Sequence, residues 1–324
     1  MFGYVLRRLF IMIPTLLVIS FLVFAIIQAP PGDYLSSYLA ELQSQGEAVN
    51  PQKIEYLRKQ YGLDRPFYEQ YFIWVTNLLQ GDMGYSFEFS LPVSKVVGDR
   101  LALTAVVSIA TVLFVWLVSF PIGIYSATHQ YSLGDYGLSI IGFIGMATPS
   151  FLLALVMLYF ANVWFGTSIG GLMDPVYLDQ PWSWGKAESV LAHLWLPVVV
   201  IGASGTASQI RRLRANLLDE LQKQYVVTAR AKGLPRGRLL VKYPLRLSLN
   251  PFIADIGTLL PEMVSGAVIV SVVLSLPTTG PMLLDALRSQ DMFLALLTVI
   301  GVFVSDVLLG LLDPRIRLGA GATK

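Results

Sequence analysis

Residues 224–235 read Gln-Tyr-Val-Val-Thr-Ala-Arg-Ala-Lys-Gly-Leu-Pro, and the interpretation of the whole chain starts from them. The stretch predicts a short helix that ends at Gly233, because glycine accepts the left-handed cap conformation and Pro235 then breaks the helix. Its small side chains, Ala229 and Ala231, keep one surface shallow. Its cations, Arg230 and Lys232, charge another surface. A rigid helix of this kind is suited to docking against another protein.

The rest of the chain is apolar enough to belong in a lipid bilayer. It has 324 residues, of which 55% are hydrophobic and 14% are charged. In soluble domains roughly a quarter of all residues are charged. A helix needs about 20 apolar residues to cross the hydrocarbon core. Six stretches meet that requirement and predict six membrane spans: residues 9–29, 101–128, 137–165, 191–209, 247–276 and 292–312.

The distribution of positive charge predicts which side of the membrane each loop occupies. The loop between the fourth and fifth predicted spans holds ten cations and only two acids, Asp219 and Glu220. The cations are Arg211, Arg212, Arg214, Lys223, Arg230, Lys232, Arg236, Arg238, Lys242 and Arg246. Because cytoplasmic loops are enriched in lysine and arginine, this loop is predicted to be cytoplasmic. Six spans then place both termini on the same side, where the ends of the chain are also basic.

Several classes of site are excluded or disfavoured by composition. The chain has no cysteine and two histidines, which excludes disulfides and thiolate ligands and argues against a zinc or iron site. No Gly-x-x-x-x-Gly-Lys-Ser/Thr sequence is present, so the chain has no phosphate-binding loop of its own. The basic loop contains one pair of aromatic residues, Tyr225 and Tyr243, and no stacking platform, so no nucleic-acid partner is expected.

Two segments are predicted to lie outside. Residues 30–100 form the longer one, in which Phe67, Tyr71, Trp74 and Leu78 recur with the spacing of an amphipathic helix. These aromatic side chains lie either in the membrane interface or in the core of the outer segment. The second segment, residues 166–189, contains Trp182 and Trp184, which are predicted to anchor at the membrane surface.

Three motifs carry a resemblance to a known family. The chain reads Thr-Ala-Arg-Ala-Lys-Gly at 228–233, Tyr-Gly-Leu-Asp-Arg-Pro at 61–66 and Asp-Pro-Arg at 313–315. It therefore resembles the permease subunits of ABC importers, in the form found in oligopeptide, dipeptide and nickel permeases. The resemblance implies an all-α membrane protein of the type I importer class, with six transmembrane helices and cytoplasmic termini. It implies an N-terminal tail with the first transmembrane helix at 1–29, an outer segment at 30–100, a five-helix permease core at 101–312 with a cytoplasmic coupling loop at 210–247, and a cytoplasmic tail at 313–324.

The resemblance also implies a role for the short basic helix. In such permeases a coupling helix sits in a cleft of a separate ATPase subunit, and here Val227 stands where other importers carry glutamate. The implied coupling residues are Tyr225, Val227, Thr228, Ala229, Arg230, Ala231, Lys232 and Gly233. The implied partners are a second homologous permease, one or two ATPase subunits that hold ATP and Mg²⁺, an extracytoplasmic binding protein and membrane lipid. The chain itself would have no catalytic residue, metal or cofactor and would lie in the inner membrane.

The transported solute is expected to be an oligopeptide or dipeptide. Nickel and oligosaccharides stay open as alternatives, although no methionine-histidine or carboxylate cluster argues for nickel. An ATP-independent secondary transporter is the rival class, since such proteins contain broken spans. Pro121 and Pro149 are predicted to interrupt the second and third spans, so this alternative also stays open, together with a membrane scaffold.

Two acidic residues are candidates for the transport pathway. Asp255 and Glu262 lie seven residues apart in the fifth predicted span and share one helix face. A charged group at membrane depth costs several kcal/mol unless it faces a partner or a wet cavity. Each therefore either lines the pathway or is held by a buried hydrogen bond. The outer turn at 277–281 departs from the Pro-Gly-x-Gly turn of similar permeases, which puts its contacts with a binding protein in doubt.

Overall fold

The fold is described from a computed structural model of the chain. The described residues are 2–29, 55, 59, 65–86, 88, 89, 91–165, 170–178, 180–254 and 267–311. For residues 2–9, 165, 253, 254, 292, 293 and 304–311 the description covers the backbone alone. The predicted pathway residues Asp255 and Glu262, residues 61–64 of the Tyr-Gly-Leu-Asp-Arg-Pro motif and the motif at 313–315 lie outside the described residues.

The described chain is almost entirely helical. Its elements in chain order are α1 (Phe2–Gln28), α2 (Phe67–Leu79), β1 (Tyr85–Ser86), β2 (Leu91–Pro92), α3 (Val93–Thr128), α4 (Leu133–Ala147), α5 (Ser150–Phe165), a 3-10 turn (Pro175–Tyr177), α6 (Trp184–Leu221), α7 (Gln224–Ala231), α8 (Arg236–Lys242), α9 (Pro244–Ser248), α10 (Asn250–Ala254), α11 (Val268–Val273), α12 (Thr279–Arg288) and α13 (Met292–Leu311). The strands β1 and β2 pair antiparallel in a two-stranded ribbon.

Among the described residues, three helices are long and apolar enough to cross a membrane. They are Phe10–Gln28 of α1, α3 and α6, and the bent pair of α4 and α5 becomes a fourth span if it crosses as one unit. The apolar part of α13, Leu294–Phe303, is a shorter helix. The fifth predicted span contains residues outside the described set, so the prediction of six spans stays a prediction.

The two prolines that were predicted to interrupt spans behave differently. The prediction for Pro121 was wrong, because α3 continues through it from Val93 to Thr128. A proline removes one backbone hydrogen bond, but a helix in an apolar environment has no water with which to satisfy the groups that a break would expose.

At Pro149 the chain does break. Thr148 is extended, with φ −80° and ψ 124°, as the steric clash with a following proline favours. The axes of α4 and α5 consequently differ by 105°. The predicted third span, residues 137–165, is therefore two helices joined by a sharp corner.

The chain divides into two compact units, and the first combines residues up to Leu103 with Pro281–Val307. In this unit the aromatic face of α2 packs against α1. Trp74 is buried in a cluster with Phe24 and Leu296, and the hydroxyl groups of Tyr71 and Ser20 are 2.8 Å apart. These aromatic residues therefore lie in a packed core, but one shared with the predicted first and sixth spans rather than formed by the outer segment alone.

The second unit holds Thr104–Gly280 and the residues from Leu308 on. Its central helix is α6, which has 38 residues and packs against α4, α5, α9 and α11. Gly202 allows α3 to approach α6 closely, because a β-carbon at that position would lie 2.8 Å from the Phe114 ring. The long α6 helix supports the loop that carries the candidate site.

Candidate functional site

The predicted basic helix is α7, and its C-terminus is closed by two backbone hydrogen bonds. Gly233 is left-handed, with φ 78°. Its N–H donates to the Arg230 carbonyl (3.0 Å), and the Leu234 N–H donates to the Ala229 carbonyl (3.3 Å). This pair of bonds is the Schellman arrangement, which satisfies carbonyls that the end of a helix would otherwise leave exposed. The glycine cap was predicted from the sequence.

The next helix, α8, folds back on α7. Pro235 is extended (φ −64°, ψ 143°) and precedes the first residue of α8. Val226 and Ala229 of α7 are buried together with Leu239 of α8, and this cluster is bordered by Tyr225, Leu234 and Tyr243. Residues 224–242 thus form a small helical hairpin with an apolar interior, here called the α7–α8 hairpin.

The placement of Ala229 corrects the sequence prediction. Ala229 was expected on the shallow docking surface with Ala231, but it is 7% exposed and lies in the interior of the hairpin. Its small side chain allows α7 and α8 to approach each other. A larger or charged residue there would disturb the hairpin itself rather than a surface.

The exposed side of α7 is consequently smaller than predicted. The residues at helical spacing on this side are Gln224, Val227, Thr228 and Ala231, and together they are called the α7 face. All four are exposed and uncharged, and Val227 is 52% exposed. The cations Arg230 and Lys232 are also exposed and border this face. The surface therefore combines a shallow neutral centre with positive charge at its edge.

A hydrogen bond ties α7 to the end of α6. The Tyr225 hydroxyl donates to the carboxylate of Glu220, and the rings of Tyr225 and Tyr243 lie 6.3 Å apart. Burial, together with the bond to the negatively charged carboxylate, raises the pKa of the Tyr225 phenol to about 12. The phenol therefore keeps its proton, and its function as a donor, throughout the neutral pH range.

An ion pair connects α6 to the start of α4. The Arg214 guanidinium donates to both oxygens of the Asp135 carboxylate, at 2.9 and 3.3 Å. The Asp135 carboxylate also accepts from the Tyr131 N–H at 3.0 Å. Its side chain is 4% exposed and that of Arg214 is 27% exposed. A buried charge needs such compensation, so this pair fixes how α6 and α4 lie against each other.

Asp135 and Glu220 are not predicted from the sequence as site residues. For Asp135 the sequence does contain a signal, because serine followed by an acid three residues later marks a helix start. In the structure Ser132 caps α4 by accepting from the Asp135 N–H at 3.1 Å. For Glu220 the sequence offers no such signal. Its partnership with Tyr225 depends on the angle between α6 and α7.

The outer turn that departs from similar permeases is largely buried within its own unit. Thr278 and Thr279 are 4% and 3% exposed. The Thr279 N–H donates to the Thr104 hydroxyl at 3.0 Å, and the Thr278 hydroxyl oxygen has no hydrogen-bond partner. These side chains line a small cavity with Ser108 and Ser271. The threonines of this turn therefore face the protein interior.

Two family descriptions match most of the chain. Residues 119–318 match the family described as "Binding-protein-dependent transport system inner membrane component". Residues 1–110 match "Binding-prot-dependent transport system membrane comp, N-term".

Individual relatives are similar over nearly their full lengths. The oligopeptide transport system permease protein AppB of Bacillus subtilis is 33% identical over 329 residues, which cover 98% of this chain and 100% of the relative. The dipeptide transport system permease protein DppB of Escherichia coli K12 is 28% identical, with 98% and 99% covered. The di/tripeptide permease DppB of Pseudomonas aeruginosa is 31% identical, again with 98% and 99% covered. Among solved structures, a chain of the inward-facing MetNI methionine ABC transporter matches with a TM-score of 0.47 and 16% identity, covering 68% of this chain and 98% of that one.

Proposed function

Since the chain belongs to the family of binding-protein-dependent transport system inner membrane components, we propose that it is a permease subunit of an ATP-driven importer for oligopeptides or dipeptides. It is a transport component rather than an enzyme. The class of solute is supported by the relatives, whose names specify oligopeptide, dipeptide and di/tripeptide transport.

The permease works with partners that supply energy and solute. A second homologous permease completes the pathway, one or two ATPase subunits bind ATP and Mg²⁺, and an extracytoplasmic binding protein delivers the peptide. The chain crosses the inner membrane six times with both termini in the cytoplasm. Asp255 and Glu262 line or brace the pathway in the fifth span.

The coupling site is the α7 face, with Arg230, Lys232 and Gly233 beside it. One observation carries this assignment: the face is neutral and shallow, and it stands on a hairpin that is fixed to α6 at Glu220 and Tyr225. An ATPase that closes around α7 therefore moves α6 with it. Tyr225 contributes by fixing the hairpin, and Ala229 contributes by letting α7 and α8 pack closely.

The length of α6 suits the transfer of movement from the hairpin into the membrane. The predicted span ends at Gln209, and α6 continues to Leu221. At 1.5 Å per residue, these twelve further residues carry the helix about 18 Å beyond the span. A movement of the hairpin is thereby transferred into the membrane by a continuous helix, and the pair of Arg214 and Asp135 passes it on to α4.

The proposal is tested by placing a negative charge on the α7 face. Ala231→Glu should leave the hairpin folded, because Ala231 is exposed and glutamate is a good helix former. Peptide uptake and ATP hydrolysis stimulated by the binding protein should both fall about tenfold or more, since an unpaired charge enclosed in an interface costs at least about 1.4 kcal/mol. Membrane abundance should be unchanged.

Gln222→Glu is the matched control. It introduces the same charge at an exposed position two residues before α7, outside the α7 face, and should import normally. Wild-type uptake by the Ala231→Glu variant at normal abundance would show that no ATPase docks on this face.

A further inference from the structure

The α7–α8 hairpin has a second exposed face, which the proposed coupling role does not use. Arg238, Val241 and Lys242 lie on one side of α8, at i, i+3 and i+4, and together they are called the α8 face. All three residues are exposed, and Val241 is 65% exposed. Leu239, between Arg238 and Val241 in the sequence, is buried against α7 instead. The α8 face therefore combines an exposed branched apolar side chain with a cation on each side.

The two faces lie on different helices of the hairpin. Val226 and Ala229 of α7 and Leu239 of α8 fill the space between the helices, so each helix presents its other side outward. The α7 face carries no charge, whereas the α8 face carries two positive charges and no acid. The cations Arg230 and Lys232 lie at the edge of the α7 face, whereas Arg238 and Lys242 belong to the α8 face itself.

The position of α8 along the chain indicates which occupant it has. After α8 the chain packs α9 against α6, and the Arg212 guanidinium lies 5.4 Å from the Phe252 ring. Arg212 lies nine residues before the end of α6, which corresponds to about 14 Å of helix. By Phe252 the chain has therefore returned along α6 toward the predicted span, and α8 lies between the end of α6 and this return.

We propose that the α8 face binds anionic phospholipid headgroups of the cytoplasmic leaflet. Lysine and arginine place their charges among lipid phosphates while apolar side chains beside them enter the interface. Each cation near an anionic membrane surface strengthens the association about fivefold. The hairpin is thereby held between the membrane on its α8 side and the ATPase on its α7 side. The proposal rests on the proposed function only for the cytoplasmic location of the hairpin.

The chain has no cysteine, so one label can be placed on either face. Val241→Cys and Thr228→Cys are each labelled with an environment-sensitive fluorophore in the permease before the ATPase subunits are added. Each is reconstituted in vesicles that contain a nitroxide lipid quencher near the headgroups. In phosphatidylglycerol vesicles the label at 241 should be quenched and the label at 228 should not. Replacing phosphatidylglycerol by phosphatidylcholine should abolish the quenching at 241. Raising the salt from 0.1 M to 1 M, which shortens the screening length from roughly 10 Å to about 3 Å, should also abolish it.

Matched charge variants identify the residues responsible. Arg238→Gln with Lys242→Gln should shift the equilibrium between the lipid-bound and free forms of the 241 region toward the free form on the order of 25-fold, at about fivefold per cation. Arg230→Gln with Lys232→Gln, which removes the same charge from the α7 side, should leave the quenching at 241 unchanged. Equal quenching at 241 in phosphatidylcholine vesicles would overturn the requirement for anionic headgroups.

Adding the ATPase subunits distinguishes the lipid proposal from the proposed coupling role. Binding of the ATPase subunits should shield the label at 228 and leave the lipid quenching at 241 in place. A label at 241 that is shielded by the ATPase and not by lipid would overturn the lipid proposal and leave the permease function standing. A label at 228 that the ATPase does not shield would count against the coupling role alone.

Discussion

Gly233 has a backbone conformation that no other residue of the α7–α8 hairpin adopts. Its φ is 78°, and a β-carbon built on it would meet nothing within 4 Å. Gly237 in α8 also has open space around it, but its backbone is not left-handed. The two glycines thus differ in conformation and not in crowding, which makes them a matched pair.

Alanine substitutions should separate these two effects. Gly233→Ala should destabilise the cap by roughly 1 kcal/mol, because a β-carbon is strained at positive φ. Gly237→Ala should be neutral or stabilising by up to about 1 kcal/mol, since alanine favours the helix. Hydrogen exchange of the residue 233 and Leu234 amides, which close the cap, should accelerate about fivefold in the first variant only. Equal exchange rates in both variants would contradict a requirement for the left-handed conformation.

At this scale the sequence predicted what depends on neighbouring residues and missed what depends on packing. The cap at Gly233 follows from glycine, an apolar residue and proline in succession, so the local sequence was sufficient. The side on which Ala229 lies depends on where Leu239 of the next helix packs. Ala229 and Ala231 have the same side chain two positions apart, and only the fold of α8 distinguishes them.

At the scale of whole helices, local sequence was again insufficient where tertiary packing decides. Pro121 and Pro149 both suggested broken spans, and only Pro149 breaks one. The residue before proline is biased toward the extended form in both cases, but tertiary surroundings decide whether the helix yields. Within α3 the helix continues, whereas Thr148 adopts the extended form and donates its hydroxyl to the Ile144 carbonyl at 2.8 Å.

The joint between α6 and α7 yields a prediction about coupling. Tyr225→Phe keeps the ring beside Tyr243 and removes the hydroxyl that bonds to the Glu220 carboxylate, a loss of roughly 1.5–3 kcal/mol for a bond to a charged group. The hairpin should then move partly independently of α6, so more ATP should be hydrolysed for each peptide imported. Glu220→Gln should behave nearly as wild type, because an amide oxygen still accepts the bond. A Tyr225→Phe variant with the wild-type ratio of ATP to peptide would show that the joint does not depend on this bond.

The pKa of Tyr225 defines the pH range for that comparison. Its pKa is raised from 10.0 to about 12 in the folded chain, so the protonated form is favoured by folding. The stabilisation that this supplies is complete below about pH 10 and is lost as the pH rises toward 12. Measurements between pH 7 and pH 9 therefore compare variants in which the phenol, where present, is always a donor.

At the scale of the whole molecule, the corner between α4 and α5 determines the sidedness of everything after it. If the bent pair crosses the membrane, the 3-10 turn at Pro175–Tyr177 lies outside, and α6 brings the hairpin into the cytoplasm. If the pair re-enters and leaves on the same side, that turn is cytoplasmic and α6 carries the hairpin outside, where no ATP is available. The ten cations of the loop favour the first arrangement by the bias of cytoplasmic loops toward positive charge.

Single cysteines on this cysteine-free chain distinguish the two arrangements. The exposed residues Arg65, Leu178 and Arg236 are each replaced by cysteine and treated with a membrane-impermeant thiol reagent in intact cells. The first arrangement predicts labelling at 65 and 178 and none at 236 until the membrane is permeabilised. A re-entrant pair predicts labelling at 65 and 236 and none at 178. The two arrangements predict opposite labelling at 178 and at 236. When both positions give the result of the same arrangement, the local accessibility of one cysteine cannot explain it. Labelling at 236 in intact cells would place α7 where no ATPase can reach it and would refute the coupling role.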